Sequence, residues 1–266
     1  MTILIIGGGN MGLTYAQSFV RSRVVSAEQL MILEHLLGKK EDLESHKVAN
    51  VFVKAEDCLP QADIVILAVK PQDSPAMFAG MKHLVKPEQV FLSIMAGVRI
   101  ETICEQLGVT KVIRAMPNLP AQVGQGMTAY TATDDVTRFE LLTIQNLLAT
   151  TGKTLQLNDE LSIDAVTAIS GSGPAYVFYF MQSMIDSAQQ MGFSPSEAEL
   201  LVVQTFTGAI DLYNKSTFSC QEWIQRVSSR GGTTEAAIAV YNKQMVKDKI
   251  SDGAFAALSR ARELGK

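Results

Sequence analysis

The sequence predicts an α/β chain: a doubly wound sheet in residues 1–157, followed by an all-α helical domain in residues 158–266. Three observations carry that reading. Short apolar runs alternate with amphipathic ones up to about residue 157, as in strand–helix–strand units. A glycine-rich hexapeptide stands between the first apolar run and the first amphipathic one. After Asn158 no further strand pattern occurs, and helix-start signals replace it.

Taken in order, the predicted strands are Thr2–Ile6, Leu30–Glu34, Asn50–Val53, Asp63–Val69, Val90–Met95, Lys111–Ala115, Met127–Tyr130 and Thr154–Leu157. Runs such as Ile64-Val65-Ile66-Leu67 are apolar on both faces, as parallel strands covered by helices must be. Between them lie helical patterns such as Met11–Ser22, Ser74–Leu84 and Asp134–Thr151. The second half is predicted as helices over Leu161–Thr167, Pro174–Met191, Pro195–Tyr213, Cys220–Val227, Thr234–Asn242 and Lys247–Leu264. Ser194-Pro195-Ser196-Glu197 and Ser219-Cys220-Gln221-Glu222 are capping boxes, and Gly192 marks the stop before the first of them. The Pro174–Met191 segment opens apolar on all sides, so it needs a cover, and a partner subunit is the expected one.

Composition excludes several classes. The 266 residues are 47% hydrophobic and 19% charged, with a net charge of −4, which rules out a disordered chain. Residues 1–158 hold 14 Lys+Arg against 15 Asp+Glu, and the remainder 9 against 12, so neither half is a basic nucleic-acid module. Cys58, Cys104 and Cys220 form neither a disulfide framework nor a zinc motif, and no metal spacing is present. The N-terminus lacks the basic region of a signal peptide, and the most apolar stretch is too short and too broken to span a bilayer. A cytoplasmic protein without membrane contact is expected.

Gly7-Gly8-Gly9-Asn10-Met11-Gly12 follows the first strand and opens the first helix. In that context glycine serves the tight turn, the backbone approach to a pyrophosphate and close helix–strand packing, while helix N–H groups meet the phosphates. Gly7, Gly9, Asn10, Met11 and Gly12 are therefore expected to hold a dinucleotide. Glu34, ending the second strand, is placed for a ribose 2′-hydroxyl and favours NADH, whereas His35, Lys39 and Lys40 are placed to meet a 2′-phosphate. NADPH and NADH are both admitted. Ala68-Val69-Lys70-Pro71, Ala96 and Asn118 fall at carboxyl ends of strands, where ligands bind in open α/β sheets, although Asn118 reads equally as a turn cap.

In the helical half, Ser170-Gly171-Ser172-Gly173-Pro174-Ala175-Tyr176 opens the most apolar helix, and Ser228-Ser229-Arg230-Gly231-Gly232-Thr233-Thr234 joins two helices. The second stretch suits a nest of N–H groups for a carboxylate, or else a plain cap and turn. All three histidines lie in the first half, so a histidine acid on the substrate side is not expected. Hydride transfer to a group that needs little help with protonation follows.

Together, the glycine loop, Ala68–Pro71, Met116-Pro117-Asn118, Ser170–Tyr176 and Gly231–Thr234, in that order, resemble pyrroline-5-carboxylate reductase, from Ile3 to about Leu264. The resemblance implies a Rossmann-like domain followed by a helical domain that interleaves in a homodimer, with larger rings of dimers. It also implies reduction of L-1-pyrroline-5-carboxylate to L-proline by NAD(P)H, the last step of proline biosynthesis. Ser229, Gly231, Gly232, Thr233 and Thr234 would receive the substrate carboxylate, and Thr234 would act as the catalytic residue by bonding the ring nitrogen. Two positions depart from the family pattern: Arg230 replaces a common proline, and Ala55 a common asparagine. A β-hydroxy-acid dehydrogenase would need an active-site lysine, and none lies within the Gly/Ser/Thr motifs.

Overall fold

Ile3, Leu4, Ile5 and Ile6 form β1 (Ile3–Ile6), and every one of them is buried because the strand lies at the middle of a sheet covered on both faces. The computed structural model describes residues 1–265, the side chain of Leu37 apart. It contains all eight predicted strands: β1, β2 (Leu30–Leu33), β3 (Asn50–Phe52), β4 (Ile64–Leu67), β5 (Val90–Ser93), β6 (Val112–Met116), β7 (Gly126–Ala132) and β8 (Gly152–Gln156). Their order is β3-β2-β1-β4-β5-β6-β7-β8, parallel throughout except for the antiparallel β6–β7 pair. The first six follow the doubly wound order of dinucleotide-binding sheets. Successive side chains point to opposite faces, so Ile3 and Ile5 join one core with Tyr15, Phe19 and Ile66. Leu4 and Ile6 join the other core, with Val65, Phe78, Phe91 and Ile103.

The connections are helical: α1 (Asn10–Arg21), α2 (Leu37–Ser45), α3 (Ser74–Met81), α4 (Ile100–Leu107) and α5 (Arg138–Ala149). Helix α5 starts later than the predicted Asp134, because Thr137 and Glu140 form a capping box that sets its first turn. After β8 comes α6 (Leu161–Val166), continued by a π-helical turn over Thr167–Gly171.

Two units make up the chain: Met1–Ser172 together with the chain end from Ala257, and Gly173–Ala256. Residues 158–172, which the change of rhythm groups with the helical half, lie in the first unit. Arg114 on β6 explains why. Its side chain is 3% exposed, and the guanidinium pairs with Glu160 at 2.8 Å and Asp164 at 3.1 Å, tying the start of α6 to the sheet. Breaking one partner of such a buried pair would leave a charge uncompensated. The chain end is held within this unit too, where Arg99 Nε donates to the Gly265 carbonyl at 3.1 Å.

The second unit comprises α7 (Gly173–Gln190), α8 (Pro195–Asn214), α9 (Cys220–Val227), α10 (Thr233–Lys243) and the first part of α11 (Val246–Leu264). Both predicted capping boxes are formed. Gly192 takes φ +104° just past α7, a conformation that suits glycine. Helix α7 has no buried residue, and Phe178 and Tyr179 are 60% and 75% exposed in the single chain. So large an apolar face marks an interaction surface.

Tyr15, fully buried in the first core against Phe19, gives a pH prediction. Burial pushes its hydroxyl up to about 12, with Thr128 and Thr151 offsetting only part of the effect. Because the folded chain keeps this proton more tightly than the unfolded one, the contribution is complete below pH ~10 and is lost as pH rises toward 12. Urea titrations of Tyr15→Phe should give stability equal to the parent at pH 8 and roughly 2–3 kcal/mol less alkaline loss above pH 10. Parallel curves for the two proteins across that window would refute it.

Candidate active site

The carboxyl ends of β1, β2 and β4 surround a cavity of about 640 Å³ in the first unit. Gly7, Gly9, Glu34, Ala68, Val69 and Lys70 line it, together with Ala55 and Lys39. The loop after β1 makes a tight reversal: Gly7 has φ +104°, and its N–H donates to the Leu33 carbonyl at 3.0 Å. A Cβ on Gly7 would come within 2.8 Å of the Ala68 carbonyl oxygen, so only glycine lets the two loops meet here. A Cβ on Gly12 would overlap the Gly7 carbonyl oxygen, whereas one on Gly9 would meet nothing within 4 Å. Gly9 is the N-cap of α1 and offers no side-chain cap, so the first-turn N–H groups of Asn10, Met11 and Gly12 lack intrahelical partners. These are the features of an anion cradle at a positive helix end.

Glu34 follows β2 directly, and its side chain is 5% exposed. One carboxylate oxygen accepts from Gly8 N at 3.3 Å and the other from Leu36 N at 3.1 Å. The Gly8 N–H is thereby engaged by an internal carboxylate. His35 Nδ1 stands 3.5 Å from the same group and is itself largely exposed. Lys70 ends the loop after β4, and Pro71 starts a 3₁₀ turn beside the cavity rather than lining it. Ala55 also lies in a short 3₁₀ turn.

Besides Pro71, the predicted Asn10, Met11, Gly12, Ala96 and Asn118 do not line this cavity, the first three belonging to the first turn of α1. Ala96 precedes Gly97, which has φ +78° and packs against the Leu264 backbone. Asn118 uses both ends of its side chain internally: Nδ2 donates to the Ser170 carbonyl at 3.0 Å, and Oδ1 accepts from Met127 N at 2.9 Å. The partner at Ser170 was not legible from sequence, because nothing local links residues 52 positions apart.

In the second unit, residues 228–232 turn between α9 and α10. Gly231 adopts φ +73°, and Gly232 N donates to the Ser229 carbonyl at 3.0 Å. A Cβ on Gly232 would stand 2.5 Å from Ser229 Oγ and 3.0 Å from the Ser229 carbonyl oxygen, so a side chain there would displace the serine hydroxyl and press on the turn. Gly232 is the N-cap of α10, with Thr233 and Thr234 in its first turn, Thr234 half-buried. The N–H groups of that turn are open to an anion. Ser229 and Arg230 are exposed. Sequence reasoning missed Glu235, whose carboxylate accepts from Gly231 N at 2.6 Å. With glycine as the N-cap there is no capping-box pattern to signal it, and the contact follows from the shape of the turn. Glu235 thus occupies the Gly231 N–H in this structure. Among the described residues no cluster of His, Cys, Asp and Glu is arranged to hold a metal.

Comparison with known proteins matches residues 160–264 to a model described as pyrroline-5-carboxylate reductase dimerisation. Residues 2–97 match one described as NADP oxidoreductase, coenzyme F420-dependent. A pyrroline-5-carboxylate reductase of Pseudomonas aeruginosa is 34% identical over 99% of this chain and 97% of its own length. The structure of a pyrroline-5-carboxylate reductase from Coxiella burnetii superposes with a TM-score of 0.90 at 30% identity, covering 100% of this chain and 98% of that one. A Plasmodium falciparum pyrroline carboxylate reductase with NADP bound gives a TM-score of 0.90 at 25% identity, with the same coverage of both chains.

Proposed function

This chain belongs to the pyrroline-5-carboxylate reductase family, and from that premise we propose how its residues carry the reaction. It is an NAD(P)H-dependent oxidoreductase that reduces L-1-pyrroline-5-carboxylate to L-proline, and it pairs as a homodimer through the helical half. A ring of dimers, which the resemblance implies, and a cytoplasmic location, which the N-terminal sequence suggests, extend that reading.

The observation that carries the assignment is the glycine loop: Gly7 and Gly12 leave no room for side chains, and the loop opens onto a cavity lined by an acid that it holds through the Gly8 N–H. Those residues fit a dinucleotide, with Gly7 to Gly12 on the pyrophosphate, Glu34 on the adenosine ribose and Ala68 to Pro71 beside the nicotinamide. The bound dinucleotide supplies a hydride to the C=N carbon. Ala96 flanks that side. The turn formed by Ser229, Gly231, Gly232 and Thr233 takes the substrate carboxylate through the first-turn N–H groups of α10, the substrate displacing Glu235 from the Gly231 N–H. Thr234 Oγ1 hydrogen-bonds the ring nitrogen, donating to it in the neutral imine and accepting from its N–H in the iminium, and fixes which face is presented. A threonine hydroxyl is too weak an acid to be the proton source, so the imine arrives as iminium or is protonated by water. The main contribution is then proximity.

Mixing purified protein with pyrroline-5-carboxylate and either NADH or NADPH, while following loss of reduced nicotinamide, tests the assignment. Proline should form with both, and kcat/KM should be higher with NADH, because a 2′-phosphate would be brought against the Glu34 carboxylate that Gly8 and Leu36 hold in place. Glu34→Gln should shift the NADH/NADPH ratio about tenfold toward NADPH. A parent enzyme faster with NADPH would hand control of the ribose to Lys39 and His35. Absence of proline with either cofactor would sink the assignment.

A further inference from the structure

We propose that Asn118 is a positioning residue of this reductase: it holds the π-helical turn Thr167–Gly171 at the carboxyl end of β6 by supplying the hydrogen bond that Pro174 withholds from the Ser170 carbonyl. In an α-helix that carbonyl would accept from the N–H four residues on, but residue 174 is proline and has none. The chain widens there instead, with Ser172 N donating to the Thr167 carbonyl at 2.8 Å. Asn118 Nδ2 reaches the Ser170 oxygen at 3.0 Å, while its Oδ1 is held by Met127 N at 2.9 Å, so the amide is fixed from both ends. Met116 seals the contact: a Cβ on Gly171 would come within 2.9 Å of its terminal methyl group.

Two stretches far apart in sequence, Met116-Pro117-Asn118 and Ser170-Gly171-Ser172-Gly173-Pro174, thus form one device. Its first strand, β6, is parallel to β5 and through it to β4, so the device stands at the same end of the sheet as the loops lining the cavity. Wide turns of this kind recur at functional sites because they free carbonyls from the helical ladder. Here the freed carbonyl is tethered by a side chain from the crevice end of a strand. Asn118 acts through the turn and not on the cofactor.

The test compares Asn118→Ala, Pro174→Ala and the double variant, each as the full chain. Asn118→Ala should lower kcat about tenfold, leave the Kd for NADH within about twofold, and speed amide exchange at Ser172. Adding Pro174→Ala returns an N–H to the Ser170 carbonyl and should recover most of both losses, a coupling that a space-filling role would not produce. Should Asn118→Ala fail to fold, Asn118→Asp keeps the acceptor for Met127 N but sets a charged carboxylate oxygen, which cannot donate, against the Ser170 carbonyl, so it should show the same losses at least as strongly. A Kd for NADH weakened tenfold or more would make Asn118 a cofactor ligand and overturn the proposal. So would a double variant no better than Asn118→Ala. The kcat arm rests on the reductase reading, whereas exchange at Ser172 does not, so an inactive parent with the expected exchange pattern rejects the reaction and supports the tether.

Discussion

Thr234→Val is expected to lower kcat by about 100-fold while the Kd for NADH stays within about twofold. Valine matches threonine in shape and branching, so the first turn of α10 keeps its form and the carboxylate-binding amides stay in place. What is lost is one hydrogen bond to the ring nitrogen, which matters most as the C=N bond is reduced and charge at nitrogen changes. A bond to a charged group contributes roughly 1.5–3 kcal/mol, and about 1.4 kcal/mol corresponds to tenfold in rate, which gives the stated size. KM for pyrroline-5-carboxylate should rise less than kcat falls, since in the proposed site the turn at residues 229–233 keeps its hold on the carboxylate. Steady-state kinetics with cofactor binding measured separately decides it. Unchanged turnover would remove Thr234 from the mechanism and leave the amide turn as the only contribution of α10. An equal loss in KM with kcat preserved would make Thr234 a binding residue.

What could be read from sequence was local in origin. The eight strands were legible because each is a short apolar run between turn formers, and doubly covered strands such as Ile64–Leu67 have no polar face to confuse the pattern. The helices of the second half were legible through Ser194/Glu197 and Ser219/Glu222, whose capping boxes are set by residues three apart. The glycine loop, Glu34 and the Ala68–Lys70 stretch were legible as cavity residues because doubly wound sheets gather ligands at the carboxyl ends of their strands. Contacts made only by tertiary folding were not. Arg114 reads as an odd charge inside β6 until Glu160 and Asp164, 46 and 50 residues on, are brought against it. The Asn118–Ser170 bond is of the same kind, and no periodicity anticipates it. The engagement of Gly231 N by Glu235 needed the shape of the turn, since a standard capping box would have directed that carboxylate to Gly232 N.

Alanine at position 12 and alanine at position 9 should both abolish tight cofactor binding, weakening Kd by about 100-fold or more, but only the first should destabilise the chain. At Gly12 the added methyl group would overlap the Gly7 carbonyl oxygen and stand 3.2 Å from Ile5 Cγ2. Neither neighbour gives way readily. Gly7 is pinned by its N–H bond to the Leu33 carbonyl, Ile5 belongs to the central strand, and α1 is held by the fully buried Tyr15, Ala16 and Phe19. Relief therefore requires moving helix against strand, an overpacking cost of about 1–3 kcal/mol that should appear as a lowered Tm. At Gly9 the methyl group would enter open space, so the empty protein should melt as the parent does. That open space is on the cradle side of the loop, where a pyrophosphate must approach the backbone, so the loss there falls on binding alone. The pair of variants separates the two jobs that glycine does in one hexapeptide: Gly12 permits helix and strand to pack, and Gly9 leaves the surface clear for phosphate. Parental NADH affinity in Gly9→Ala would move the pyrophosphate elsewhere on the cavity wall. A parental Tm in Gly12→Ala would mean that α1 yields more easily than its buried aromatic face implies.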